Sequence, residues 1–110
     1  MKRLQGQTGG LCEYMPADVC DMESLRRAIV AIQWRFGNVM HIVHTAAVIE
    51  DAVVHNVTFS LLERVLKPKV MGSWNLHLLS EQLCPQLKSF VCLGSAACVP
   101  TLIKHTLHLT

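Results

Sequence analysis

Two short apolar runs without strict alternation, residues 39–48 and 89–93, are separated by a long stretch patterned for helix. This arrangement constrains the fold more than any other feature of the chain. A hairpin needs only a few linking residues, whereas two strands joined through a helix must lie parallel. Runs that are apolar throughout, not on every second residue, belong to strands covered on both faces. A third such unit precedes them. Residues 11–15 lean apolar and end at Pro16-Ala17-Asp18-Val19, after which Asp21 stands where a helix N-cap belongs. Leu25, Ala28, Ile29, Ile32 and Phe36 then fall on one helical face, with Arg26, Arg27 and Gln33 largely off it, and Gly37 follows as the C′ residue. Thr58 opens another helical stretch. Pro68 suits the first turn of a further helix reaching about Leu83, because its missing N–H is an orphan there.

The order strand, helix, strand, helices, strand predicts an α/β fold, a partial Rossmann-type three-layer parallel sheet, over residues 1–98. After Ala97 no period persists, and residues 99–110 read as a divergent tail.

Composition narrows the function classes. Among 110 residues, 51% are hydrophobic and 16% charged, which fits a compact globular chain. The net charge is +2 and the basic residues are scattered, so nucleic acid is not an expected partner. The longest apolar stretch is broken by His41, His44, Glu50 and Asp51, so no membrane span is expected, and a cytoplasmic location is. Five cysteines, an odd set without a CxxC pair, suit core thiols better than a disulfide framework. His41 and His44 point to opposite faces of a strand, and His105-x-x-His108 with Cys92 and Cys98 lacks finger spacing, so no metal is expected. Trp34 and Trp74 lie in helical stretches and read as packing residues.

In an open parallel sheet ligands bind beyond the carboxyl ends of the strands. The residues there are Asp18, the segment His44-Thr45-Ala46-Ala47, and Gly94-Ser95. Lys69 joins them by length. A helix over residues 69–83 rises about 21 Å, and a strand over residues 88–95 returns about 23 Å. Lys69 and Ser95 are therefore expected at one edge of the sheet. Asp18 fits either a ligand contact or a helix-start cap.

Ile42-Val43-His44-Thr45-Ala46-Ala47-Val48, Asp51, Lys67-Pro68-Lys69-Val70-Met71-Gly72-Ser73 with Asn75-Leu76, Cys84-Pro85-Gln86-Leu87 and Phe90-Val91-Cys92-Leu93-Gly94-Ser95 together resemble a known family. It is the ketoreductase domain of animal-type fatty acid synthases and iterative polyketide synthases, within the short-chain dehydrogenase/reductase superfamily. The resemblance implies NADPH-dependent reduction of a β-ketoacyl thioester carried on an acyl carrier protein, among other synthase domains. It implies that Asp18 and Val19 contact the adenine and that His44, Thr45, Ala46 and Ala47 pass beneath the adenosine ribose. Lys69 would be the active-site lysine, bonding the nicotinamide ribose and aiding proton relay, and Ser95 would hydrogen-bond the substrate carbonyl. Asp51 would be structural.

Two features of that family have no counterpart among these residues. Its Gly-rich phosphate turn follows a first strand, whereas Gly9-Gly10 precede one. Its proton-donating tyrosine lies beyond the serine, whereas Tyr14 is the only tyrosine of the sequence and His108 stands near the expected place. The family's strand order 3-2-1-4-5-6-7 would make this chain strands 3, 4 and 5. The expectation is therefore the middle section of such a domain, catalytically impaired and marginally stable by itself. The alternatives are a non-catalytic structural or interaction remnant of a ketoreductase, or another Rossmann-type enzyme that does not need the Lys69 and Ser95 pair.

Overall fold

The computed structural model describes residues 12–50 and 52–94. Helix α1 (Met22–Phe36) leads to strand β1 (His41–His44), and a single 3₁₀ turn (Val54–Asn56) precedes helix α2 (Phe59–Leu83), which leads to strand β2 (Ser89–Cys92). The strands pair in parallel, His41 against Ser89 through His44 against Cys92.

Helix α1 begins and ends where its chemistry dictates. The Asp21 carboxylate accepts from the N–H groups of Glu23 (2.9 Å) and Ser24 (3.2 Å), two of the orphan donors of the first turn. At the other end Gly37 adopts a φ of 86°, where a side chain would be strained, and its N–H closes on the Gln33 carbonyl at 2.9 Å. Replacing Asp21 by alanine is expected to cost about 1 kcal/mol, read as a lower urea midpoint with an unchanged denaturant slope.

The core lies where α1 and α2 meet one face of the sheet. Leu25, Ile29, Leu76, Leu79 and Cys84 form its buried centre, and Val19, Met22, Val39, Ile42, Leu83, Leu87 and Phe90 pack around it. Side chains alternate across the strands, so Ile42 and Phe90 face this core while Val43 and Val91 are exposed on the opposite face. Among the described residues, then, helices cover one side of the sheet. The side bearing Val43 and Val91 is where the third layer of such a fold lies. At the far end of the helix pair, Gln33 Nε2 donates to the Leu83 carbonyl at 2.7 Å and Arg26 donates to Gln82 at 3.1 Å. No helix of the described residues is long and apolar enough to cross a membrane.

Five expectations are corrected. Residues 12–18 form no strand; a strand exists by pairing, and among the described residues no strand pairs with this segment, which lies against α1 instead. Both later strands are four residues long, shorter than the apolar runs that contain them. Pro68 does not start a helix but lies inside α2, which runs unbroken from its Thr58 cap. The Arg64 carbonyl, four residues back, loses its partner, and Arg64 is exposed so that water can replace it. Trp34 (89% exposed) and Trp74 (60%) are surface residues, not packing residues. Of the cysteines, Cys84 is buried and Cys20 half-buried, but Cys12 and Cys92 are exposed; Cys98 lies outside the described residues. Burial pushes the thiols of Cys84 and Cys20 above their ordinary range, and the Asp18 carboxylate adds to the shift at Cys20.

Candidate active site

The site is built at the carboxyl ends of β1 and β2, where α2 crosses them. Lys69, just before the buried part of α2 that begins at Gly72, reaches the exit of β2: its Nζ donates to the Leu93 carbonyl at 2.7 Å. An ammonium has three N–H donors, and among the described residues only the Leu93 carbonyl takes one of them. Ser95, expected beside Lys69, lies outside the described residues, as does Asp51; Leu93 and Gly94, which lead directly to Ser95, are at Lys69.

A cleft of about 500 Å³ opens beside this lysine, with Thr45, Ala47, Val65, Lys69, Leu93 and Gly94 in its walls. Its rim carries an ion pair, Arg64 to Glu50 at 2.7 Å. The hydrogen bond from Arg64 holds the Glu50 carboxyl below its usual range, and Glu50 raises the guanidinium in return. The lining is mostly small or apolar, with one cation, Lys69, and one carboxylate, Glu50, which is already paired to Arg64, a lining that suits a ligand lying against backbone.

The other sequence-predicted residues take distinct places. Thr45 and Ala47 are exposed at the cleft and Ala46 is half-buried. Their small size leaves the backbone approachable. His44 is turned inward, 3% exposed, with Nε2 at 3.1 Å from the Pro68 carbonyl. Asp18 closes the turn before α1: its carboxylate accepts from the Cys20 N–H at 2.8 Å, and its own N–H donates to Ser24 Oγ at 3.1 Å. The carboxylate remains exposed. Val19 packs under α2.

Two residues quoted only as parts of a motif prove structural for the site. Asn75, buried on α2, donates through Nδ2 to the Val19 carbonyl at 3.0 Å and so ties the Asp18–Val19 turn to the helix that carries Lys69. Gly72 lets these parts approach: a Cβ there would stand 2.9 Å from Val19 Cγ2, 3.2 Å from Val19 Cβ and 3.3 Å from His44 Cε1. The available signal was a glycine in the middle of a helix, where it costs about 1 kcal/mol against alanine and is retained for a packing reason. Among the described residues no three His, Cys, Asp or Glu side chains gather as a metal site.

Parallel strands joined by a helix, with a ligand-sized cleft at their carboxyl ends, define a protein of the Rossmann-type α/β class. Within that class the chain belongs to the KR domain family, whose profile matches residues 1–106. It is 32% identical to the partially reducing polyketide synthase men1 of Menisporopsis theobromae over 81% of this chain. It is 39% identical to the polyketide synthase GfsE of Streptomyces halstedii over 73%. These matches cover 3% and 2% of the relatives' own lengths, so the chain spans a small part of the synthases it resembles. Among solved structures, an N-terminal ketoreductase from a macrolactin assembly line superposes with a TM-score of 0.69 at 29% identity, covering 79% of this chain and 18% of that one.

Proposed function

We propose that this chain is the central part of a polyketide-synthase ketoreductase domain, and that its cleft receives the nicotinamide end of NADPH beside Lys69. In the complete domain the reaction is reduction of a β-ketoacyl thioester, presented on an acyl carrier protein, to the β-hydroxyacyl form. The observation that carries this reading is the Lys69 ammonium, set by helix α2 against the exit of β2 with two donors directed to no protein partner among those described.

When bound, the reduced nicotinamide supplies a hydride to the carbonyl carbon, and a proton goes to the oxygen. The rest is the work of the chain's own residues. The Lys69 ammonium would bond the nicotinamide ribose hydroxyls and feed the proton relay. The Ser95 hydroxyl, next after Gly94, would bond the substrate carbonyl and stabilise the charge growing on its oxygen. Ala46 and Ala47 would let backbone approach the adenosine ribose. Asp18, whose carboxylate is exposed, would accept from the adenine amine while continuing to cap its turn. A phosphate-cradling Gly-rich turn and a tyrosine acid are not among these residues, so the chain by itself binds NADPH weakly and turns over slowly. Ile49, exposed at the cleft, and Phe59, exposed at the start of α2, fit a chain whose neighbours cover them in the synthase.

NADPH fluorescence titration, followed by NADPH oxidation with a β-ketoacyl thioester or a bicyclic ketone, tests the proposal. The expected result is weak binding and a rate far below that of a whole ketoreductase domain. In that complete domain, Lys69→Met is expected to lower kcat more than it raises KM. Turnover by the chain at a whole domain's rate would overturn the incompleteness, and an unaffected Lys69→Met domain would overturn the role of the lysine.

A further inference from the structure

Lys69 does not stand alone at the sheet edge; it belongs to a closed circuit of hydrogen bonds. Its Nζ donates to the Leu93 carbonyl (2.7 Å), the Leu93 N–H donates to the His44 carbonyl (3.0 Å), and the His44 ring bonds the Pro68 carbonyl (3.1 Å). Pro68 is joined to Lys69 by the peptide bond, which completes the ring. A carbonyl oxygen can only accept, so Nε2 of His44 carries the proton. The ring is 3% exposed and packed against Gly72, so no water competes for this donor.

The contact falls at the weakest place in α2. Proline at 68 removes one intrahelical bond and crowds the carbonyl four residues back, leaving the turn before Lys69 less tightly held than its neighbours. A donor from strand β1 restores a tether at that turn. We infer that His44 is a positioning residue: through the Pro68 carbonyl it fixes the turn of α2 that carries Lys69, and so holds the ammonium against Leu93 at the sheet edge. This differs from a role in touching the adenosine ribose, because the imidazole points into the fold. Its importance for carbonyl reduction rests on the ketoreductase reading above; the tether itself does not.

Competitive acetylation of the 110-residue chain with a trace of acetic anhydride, followed by mass spectrometry, reads the state of Lys69 directly. Lys67 and Lys88, both exposed, serve as internal references. In the parent chain Lys69 is expected to react more slowly than either. His44→Leu, which removes the donor, is expected to raise the Lys69 rate relative to the references about fivefold, the change that matches loss of one hydrogen bond of ordinary net strength. His44→Gln places an amide N–H near the position of Nε2 and is expected to keep the parent ratio, whereas His44→Asn, one methylene shorter, is expected to behave like leucine. A Lys69 ratio unchanged in His44→Leu would overturn the inference. Should leucine unfold the chain, levelling all three lysines, the glutamine and asparagine pair decides, and equal ratios in these two would overturn it. The labelling needs no nucleotide and no ketone. Failure here with NADPH binding intact removes only the role of His44, and loss of NADPH binding with the labelling pattern intact removes only the ketoreductase reading.

Discussion

Leu79→Ala is expected to abolish the cooperative unfolding transition of this chain at room temperature, or to move it by about 4 kcal/mol. Leu79 is the one side chain with no exposed surface among the described residues, and it sits on α2 between Leu76 and Leu83, facing Leu25 and Ile29 of α1. Truncation removes the transfer free energy of the lost carbons and leaves a cavity that neighbours fill only partly. Domains of this size are stable by roughly 5–15 kcal/mol in all, and this core has few buried members among which to share the loss. Urea denaturation followed by circular dichroism gives the answer. A shift worth less than about 1 kcal/mol would mean that the α1–α2 contact is not what holds the two helices to the sheet.

Gly72→Val is expected to destabilise by about 3 kcal/mol and, unlike Leu79→Ala, to act by overfilling. The first carbon alone would stand 2.9 Å from Val19 Cγ2 and 3.2 Å from Val19 Cβ, and the branch adds atoms towards His44. Two parts of the site must then move, the Asp18–Val19 turn and the His44 ring, and the ring is bonded to the Pro68 carbonyl in the turn of α2 before Lys69. Gly72→Ala separates the contributions, because it removes the entropic cost of a helical glycine, about 1 kcal/mol, while adding one carbon. Alanine is therefore expected near the parent stability and valine well below it, in the same urea titration. Equal stability of valine and parent would show that the turn at Val19 can move away freely. The Asn75 to Val19 bond argues against that.

Much of the architecture was legible in the residues because its determinants are local. The Asp21 cap, the stripe of Leu25, Ala28 and Ile29, and the left-handed Gly37 are choices made within a few residues, and they place α1 to the residue. The two apolar runs located both strands, but not their ends. Strand length is set by the neighbour that supplies the ladder, and β1 and β2 pair over four residues. Pro68 misled in an instructive way. Helix propensity marks it as a starting position, yet the packing of Gly72, Asn75, Leu76 and Leu79 against the sheet outweighs the one intrahelical bond it removes. At Trp34 helical phase outweighs residue type: it lies off the α1 stripe of Leu25, Ala28 and Ile29 and is exposed.

The candidate site divides along the same line. From helix rise and strand rise alone, Lys69 belonged at the exit of the last strand, and it is found at Leu93. Residue identities also marked the small segment after β1 as a place where a ligand can approach backbone. The sequence by itself therefore determined helix α1, the two paired strands and their parallel order, and the edge at which Lys69 meets the last strand, since these follow from periodicity, capping and chain length. Only the tertiary structure decided what those residues touch. That His44 turns inward to the Pro68 carbonyl, that Asn75 ties the Val19 turn to α2, and that Gly72 is the point where turn, strand and helix converge are contacts between segments distant in the chain. Such contacts depend on sub-ångström fit between surfaces, which no local pattern encodes.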